Sequence, residues 1–105
     1  MIPIPEHRTA KSQLLSIVVP AYNERDVLPE FHRRLSTVLS SLDLRAEIVY
    51  VDDGSEDGTA EVLRDLSAGD VRVAVVSLSR NFGKEIALTA GLDYATGDAA
   101  HGKLQ

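Results

Sequence analysis

The chain has 105 residues, which suits one domain and leaves little room for a second. Hydrophobic residues make up 44% and charged residues 26%, which argues against intrinsic disorder, and a net charge of −5 disfavours a nucleic-acid partner. The lack of cysteine excludes disulfides and thiolate metal sites. Since residues 1–13 lack the apolar core of a signal peptide and no window approaches a membrane span of roughly 20 apolar residues, we expect a soluble, cytoplasmic protein.

The first third of the chain predicts an arm, a strand and a helix. Residues 1–13 are polar and are expected to form a flexible N-terminal arm. The run LLSIVV, residues 14–19, is rich in β-branched residues and is closed by Pro20, which predicts a buried strand. Asp26 is the predicted N-cap of the helix that follows, and Pro29 falls in its first turn. The apolar face of this helix comprises Val27, Leu28, Phe31, Leu35, Val38, Leu39 and Leu42.

The rest of the chain repeats this alternation twice. EIVYV, residues 47–51, predicts a second strand, and Asp57 is the predicted cap of a helix from Gly58 to about Ala68 that stops at Gly69. Its inward face is Val62, Leu63 and Leu66. Residues 71–78 predict a third strand. The third helix, KEIALTAGLDYA, is expected to stop at Gly97 and to place Ile86, Ala87, Ala90, Gly91 and Tyr94 on one face.

The order β-α-β-α-β-α indicates an α/β fold, a parallel sheet with right-handed crossovers. In such a sheet, ligands bind outside the carboxyl ends of the strands. Each strand is followed by a polar corner there: PAYNE after the first, DDGSEDG after the second and SRNFGK after the third. We expect the three corners to meet at one edge of the sheet.

The paired acids Asp52 and Asp53 allow three interpretations. In the first interpretation, one aspartate caps the turn and the other is solvated, with Gly54 supplying a positive φ. Alternatively, Asp52 accepts a hydrogen bond from a ligand N–H or hydroxyl, such as those of a nucleobase or ribose. As a third alternative, the carboxylates bind Mg²⁺ or Mn²⁺.

The other two corners are similarly open. Tyr22 either packs on a neighbouring helix or stacks on a base, and Glu24 either favours a helix start or contacts a ribose. Arg80 and Lys84 flank the start of the third helix, where cations are disfavoured unless an anion such as a diphosphate lies between. The alternative is a lysine that points into water.

Several common sites are not indicated. Neither G-x-G-x-x-G nor G-x-x-x-x-G-K-[ST] occurs, which disfavours Rossmann dinucleotide binding and P-loop NTPase activity. His7, His32 and His101 show no ligand spacing, and no hydrolase triad is visible. Asp52 and Asp53 follow the second strand, whereas the paired acids of a receiver-like domain should follow the first.

On three segments the chain resembles the family-2 glycosyltransferases of the GT-A fold. They are LSIVVPAYNERDVLPEF, EIVYVDDGSEDGT and VSLSRNFGKEIALTAGLDYATGD, which together cover about residues 14–98. SRNFGKEIALTAGL is most similar to the polyprenyl-phosphate branch, the bactoprenol glucosyltransferases and dolichol-phosphate mannose synthases. The resemblance implies that residues 14–98 are the N-terminal, nucleotide-sugar-binding half-domain of a three-layer, Rossmann-like fold.

The resemblance also implies a donor site. Pro20, Ala21 and Tyr22 would line the base and ribose pocket, and Glu24 would reach the ribose. Asp52 would recognise the base, while Asp53 and Ser55 shape the turn, and Arg80 and Lys84 would lie near the diphosphate. The implied donor is of the UDP-glucose or GDP-mannose class, with UDP-glucose favoured by the branch, and the acceptor is a lipid phosphate. Full-length relatives would act at the cytoplasmic face of the membrane.

The chain departs from the family pattern after ATGD. The family continues with a fourth strand beside the first and an Asp-x-Asp motif that holds Mg²⁺ or Mn²⁺, whereas here no aspartate follows Asp98. Residues 99–105 are therefore expected to be a divergent or truncated tail without metal ligands. We expect these 105 residues to bind a donor at most, without transferring sugar. With the first strand uncovered, the chain is expected to be marginally stable, to self-associate through that strand, or to be a fragment of a longer product. The alternative is a non-catalytic nucleotide-binding or interaction module.

Overall fold

A computed structural model describes the backbone of residues 14–100 and the side chains of residues 14–95. The elements are β1 (Leu14–Ala21), α1 (Leu28–Ser40), β2 (Arg45–Asp52), α2 (Thr59–Gly69), β3 (Val73–Ser77) and α3 (Lys84–Ala100). The predicted α/β alternation is confirmed. The predicted arm and most of the predicted tail lie outside the described residues.

The three strands form one parallel sheet in the order β1-β2-β3. Residues 48–51 of the central strand β2 are fully buried, because helices cover both faces of the sheet. Helices α1 and α2 lie on one face and α3 lies on the other, which makes three layers. The carboxyl ends of all three strands therefore meet at one edge, as predicted.

Strand β1 continues through Pro20, where the sequence predicted its end. The carbonyl of Ala21 accepts the N–H of Asp53 from the next strand along, so the backbone groups of Ala21 face β2. Because these groups alternate along a strand, the ring nitrogen of Pro20 faces the open edge. Its missing N–H costs the sheet no hydrogen bond, which is where proline is tolerated in a strand.

The main core lies between the sheet and the helices α1 and α2. Its centre is Ile48, Tyr50 and Leu63, whose side chains are fully buried. The predicted apolar face of α1 is wider than the part that is buried. Leu28 and Leu39 are in the core, whereas Val27 and Val38 are each 58% exposed.

The second core, under α3, depends on small residues. Ala87 is fully buried against Val49 and Val51. A Cβ on Gly91 would lie 2.3 Å from Cγ1 of Val18, so glycine allows α3 to approach the sheet closely. The predicted face also included Ile86 and Tyr94, which are 52% and 37% exposed.

The helix boundaries need correction at three points. Helix α1 begins at Leu28 with Val27, not Asp26, as its N-cap, because residues 25–27 form a turn onto the carbonyl of Glu24. Gly58, at φ 97°, is the N-cap of α2, but Asp57 still accepts the N–H of Thr59 at 3.0 Å.

Helix α3 does not stop at Gly97. It continues to Ala100, since an isolated glycine weakens a helix without necessarily ending it. Strand β3 is shorter than the predicted run, because Val71 is fully exposed and pairing with β2 begins at Val73.

A buried polar network joins α1, β2 and the α2–β3 loop. The Tyr50 hydroxyl lies 2.7 Å from Nδ1 of His32, and Nε2 of His32 lies 3.0 Å from Oδ2 of Asp70. Since a carboxylate only accepts, Nε2 of His32 is the donor to Asp70. Burial, and then the charge of Asp70, raises the pKa of Tyr50 to about 12, so its hydroxyl keeps its proton.

Asp70 in turn binds Arg72 through both carboxylate oxygens, at 2.9 and 2.8 Å. Hydrogen bonds from the Arg72 side chain hold the pKa of Asp70 well below its usual range, and His32 contributes in the same direction. A carboxyl group whose pKa is lower in the folded chain stabilises the fold above its unfolded pKa. That stabilisation is lost as the pH falls through the pKa that Asp70 has in the folded chain.

We therefore expect the free energy of unfolding to decrease as the pH falls below about 4, the unfolded pKa of aspartate. Asp70→Asn should remove most of this acid dependence and should cost about 1.5–3 kcal/mol at pH 7, the usual loss for a charge-assisted hydrogen bond. Urea unfolding between pH 2 and 7 measures both effects. Asp65→Asn is the matched control, because Asp65 is exposed and its side chain has no hydrogen bond or ion pair among the described residues. An unchanged acid slope in Asp70→Asn would contradict the assignment.

Candidate functional site

A cavity of about 330 Å³ opens at the carboxyl edge of the sheet, between the loop after β1 and the loop after β3. Its wall is formed by Pro20, Ala21, Tyr22, Glu24, Asp53, Asn81, Gly83 and Lys84. All three predicted polar corners contribute to it. Among the described residues, the structure thus brings together six of the nine predicted site residues.

Asp53 connects two of the three corners. Its side chain is 3% exposed. Oδ1 accepts the N–H of Phe82 at 2.8 Å, and Oδ2 accepts the N–H of Gly83 at 3.0 Å and Nδ2 of Asn81 at 3.3 Å. Buried backbone N–H groups need such partners. A carboxylate of the chain itself therefore lies at the start of α3.

Gly54 allows this connection. It has φ 75°, and a Cβ added to it would lie 2.3 Å from the carbonyl carbon of Arg80. The two loops approach so closely that no other side chain fits between their backbones. Asp53 thus supplies the hydrogen-bond acceptor, and the next residue, Gly54, leaves room for the backbone of the loop after β3.

Asp52 is also buried, at 5% exposure, but it is not part of the cavity wall. Its Oδ1 accepts the N–H of Ser55 at 3.0 Å, which closes the turn. Oδ2 of Asp52 has no hydrogen-bond partner among the described residues. One carboxylate oxygen is thus left for a further donor.

Tyr22 and Glu24 lie in the loop after β1, and both are exposed. Tyr22 is 43% exposed and is not part of the core. The loop is joined to the β2–α2 turn through Asn23, whose N–H donates to Oγ of Ser55 at 2.9 Å. The Ser55 hydroxyl therefore accepts a hydrogen bond from the loop after β1, while the Ser55 N–H donates to Asp52.

The two predicted cations differ in their surroundings. Lys84 is exposed, is part of the cavity wall, and forms no ion pair among the described residues. The Arg80 guanidinium lies 4.9 Å from the centre of the Phe82 ring, a cation–π contact, and Arg80 is not part of the wall. Of the two, Lys84 has the better position to meet an anion in the cavity.

The cavity combines three kinds of surface. Pro20 and Ala21 provide an apolar wall, the Tyr22 ring offers a stacking surface, and Glu24 and Lys84 supply opposite charges. A flat ring with hydroxyls and a phosphate would use all three. A larger groove of about 520 Å³ lies between α1 and α2, but its buried polar groups, His32 and Asp70, are bonded to each other.

No group of three or more His, Cys, Asp or Glu side chains within the described part of the chain is placed to hold a metal ion. A search of the same residues finds no helix that could cross a membrane.

Sequence reasoning missed two asparagines of the site. Asn81 donates to Asp53, and Asn23 joins the loop after β1 to the β2–α2 turn. Both stood within the quoted corners, but their contacts lie 28 and 33 residues away along the chain. An asparagine in a short loop gives no sign of a partner so distant along the chain.

Comparison with known proteins decides the family. The sequence model described as Glycosyl transferase family 2 matches residues 16–100. The chain belongs to that family.

Similarity to individual glycosyltransferases and related transferases supports this assignment. Over 85 residues the chain is 52% identical to an uncharacterized glycosyltransferase of Synechocystis, and 44% identical to a prophage bactoprenol glucosyl transferase homolog of Escherichia coli. Over 99 residues it is 41% identical to an undecaprenyl-phosphate 4-deoxy-4-formamido-L-arabinose transferase of Pseudomonas fluorescens. These alignments cover 81%, 81% and 93% of this family-2 chain, but only 27%, 28% and 27% of the relatives. The chain thus spans about a quarter of their length.

The close approach at Gly54 yields a test of the site. We expect Gly54→Ala to cost about 2–4 kcal/mol, since it combines a left-handed conformation with overpacking against the backbone of residue 80. Urea unfolding measures the loss. Gly69→Ala is the control and should be neutral or slightly stabilising, because nothing lies within 4 Å of the added Cβ. Equal stabilities for the two variants would show that the loops do not meet as described.

Proposed function

We propose that this chain is the nucleotide-sugar-binding part of a glycosyltransferase that moves sugar from a nucleoside-diphosphate sugar to a polyprenyl phosphate. The observation that carries the proposal is the cavity at the carboxyl edge, where an aromatic ring, a carboxylate and an exposed lysine share one wall. Membership of glycosyl transferase family 2 supports the donor class. The printed names of two relatives, a bactoprenol glucosyl transferase homolog and an undecaprenyl-phosphate transferase, support the acceptor class.

The proposed roles follow from position and chemistry. Pro20, Ala21 and Tyr22 line the base and ribose pocket, with the exposed ring of Tyr22 stacking on the base. The carboxylate of Glu24 accepts from ribose hydroxyls. Lys84 contacts the diphosphate as a point charge.

The roles of the turn residues are less direct. Asp52 would recognise the base through Oδ2, its remaining acceptor, which requires the base to reach beyond the cavity wall. Asp53 and Ser55 shape the loops. Arg80 lies near the diphosphate in this proposal, although its present contact is with Phe82.

UDP-glucose is the proposed donor, and GDP-mannose is the competing member of the same class. The proposal rests on the glucosyl transferase name of the Escherichia coli relative. It does not rest on a residue, because both donors offer a base, a ribose and a diphosphate to the same wall. Binding experiments therefore need both nucleotides.

Mg²⁺ or Mn²⁺ belongs to the proposal for a full-length family protein at the cytoplasmic face of a membrane. For this chain itself, the proposed activity is donor binding without sugar transfer. Of the two cations proposed to lie near the diphosphate, Lys84 is the one on the cavity wall. This makes the lysine the most informative residue to change.

We expect Lys84→Ala to weaken UDP binding about tenfold, the equivalent of roughly 1.4 kcal/mol and typical of a charge-assisted contact. Uridine, which lacks phosphate, should bind both proteins equally. Titration of the ¹⁵N-labelled chain with UDP, GDP and uridine, each with and without Mg²⁺, provides the dissociation constants. Arg45→Ala is the control because it removes the same charge from the opposite edge of the sheet. Absence of any nucleotide-dependent shift at Tyr22, Glu24 and Lys84 would refute donor binding.

The alternative is a non-catalytic interaction module, and one observation favours it. The outer edge of β1 has no paired strand among the described residues, and Leu14 and Leu15 are 50% and 39% exposed there. Unpaired N–H and C=O groups beside apolar side chains favour pairing with another strand. A second copy of the chain would provide one.

If β1 mediates self-association, the sedimentation-derived mass should increase with protein concentration. Leu14→Lys should keep the chain monomeric, since a charged side chain on an open edge opposes pairing. Val71→Lys is the control, because it changes an equally apolar and more exposed residue at the other side of the sheet. Monomeric wild-type protein throughout would exclude this interface, and it would leave the donor-binding proposal intact.

A further inference from the structure

Asn23 has the only positive φ, 53°, of any non-glycine residue that the structure describes. The left-handed conformation is unfavourable for most side chains, and asparagine and aspartate tolerate it best. The residue lies between Tyr22 and Glu24, the two residues proposed to contact the nucleoside. A backbone reversal at this position decides which way its neighbours point.

Two hydrogen bonds hold Asn23 in this conformation. Its N–H donates to Oγ of Ser55, and its Oδ1 accepts the N–H of Glu56, each at 2.9 Å. The bonds run in opposite directions between the same two loops. The asparagine thus binds the β2–α2 turn through both its backbone and its side chain.

The next two residues extend this connection. The N–H of Glu24 donates to Oγ1 of Thr59 at 2.9 Å, and the N–H of Arg25 donates to Oδ2 of Asp57 at 3.4 Å. Thr59 is fully buried and its hydroxyl donates to Asp57 at 2.5 Å, which lowers the pKa of that carboxyl. Three successive N–H groups, those of residues 23–25, are therefore bound to residues 55–59.

Polar contacts, not burial, determine the shape of this loop. Tyr22, Asn23, Glu24 and Arg25 are all exposed, so the loop has little apolar surface to bury. Without the bonds to residues 55–59, its ordering would depend on Ala21 and Leu28, the buried residues on either side. Asn23 contributes two of the four bonds, more than any other residue of the loop.

We propose that Asn23 is a positioning residue that keeps Tyr22 and Glu24 arranged for the nucleoside before the ligand arrives. Its amide side chain binds the β2–α2 turn, and this leaves its two neighbours on the cavity wall. Ordering the loop in advance spares the ligand that entropic cost, so affinity is gained without a direct contact. The inference rests on the proposed donor site.

Four variants separate the features of Asn23. Asn23→Gly removes the side-chain bond to Glu56 but still tolerates the left-handed backbone. Asn23→Ala removes the same bond and also disfavours the left-handed backbone. Asn23→Asp keeps an acceptor oxygen and tolerance of positive φ, so it should restore the wild-type behaviour. Glu56→Ala is the matched control, because it shortens the partner side chain and retains the N–H that Asn23 accepts.

Amide hydrogen exchange of the ligand-free chain tests positioning directly. Exchange of the Glu24 and Arg25 amides should be at least tenfold faster in Asn23→Ala and Asn23→Gly, while the amides of Val49 and Leu63 in the core keep their rates. Asn23→Asp and Glu56→Ala should match wild type. Unchanged rates at Glu24 and Arg25 would overturn the proposal, and so would a uniform increase that includes the core, because it indicates a loss of global stability only.

UDP titration of the same proteins tests the consequence. The dissociation constant should rise about three- to tenfold in Asn23→Ala and Asn23→Gly, and should return to the wild-type value in Asn23→Asp. Faster exchange at Glu24 with an unchanged dissociation constant would overturn a role in binding. If wild-type protein shows no UDP binding, the proposed function fails, and the exchange rates still decide whether Asn23 orders the loop.

Discussion

The carboxylate of Asp53 is the contact on which the site depends. It lies at the end of the central strand, almost fully buried, and accepts two backbone N–H groups and one side-chain amide from the loop that begins α3. A buried carboxylate is stable only when it is bonded in this way, and buried N–H groups need acceptors. The Asp53 carboxylate and the N–H groups of the loop therefore satisfy each other. Gly54 lets the two backbones approach closely enough to meet it.

A second set of polar bonds completes the edge. The loop after β1 is bound to the β2–α2 turn through Asn23, Glu24 and Arg25, so the β2–α2 turn connects both neighbouring loops. The cavity wall is therefore assembled from three loops that have little apolar surface of their own. Hydrogen bonds of defined geometry hold the groups proposed to meet a base, a ribose and a diphosphate, which suits a site that must orient a polar ligand.

Much of the site could be predicted from sequence because the fold class was evident. Near-continuous apolar strands that alternate with amphipathic helices indicate a parallel sheet, and a parallel sheet brings its carboxyl ends to one edge. That reasoning placed Tyr22, Glu24 and Lys84 together without any contact information. It did not separate Asp52 from Asp53, because adjacent residues at a strand end point to opposite faces and the sequence does not say which face the cavity adjoins.

The sequence by itself determined the strands, the helices and the edge at which they meet, since these follow from local periodicity and the chemistry of short turns. Tertiary structure decided what local patterns do not contain. It paired Asp53 with Phe82 and Gly83, gave His32 a buried place beside Tyr50 and Asp70, and put Asn23 opposite Ser55. Each of these contacts joins residues that are distant along the chain. A hydrogen bond forms only when folding brings its donor and acceptor to a defined distance and angle, which no single segment can encode.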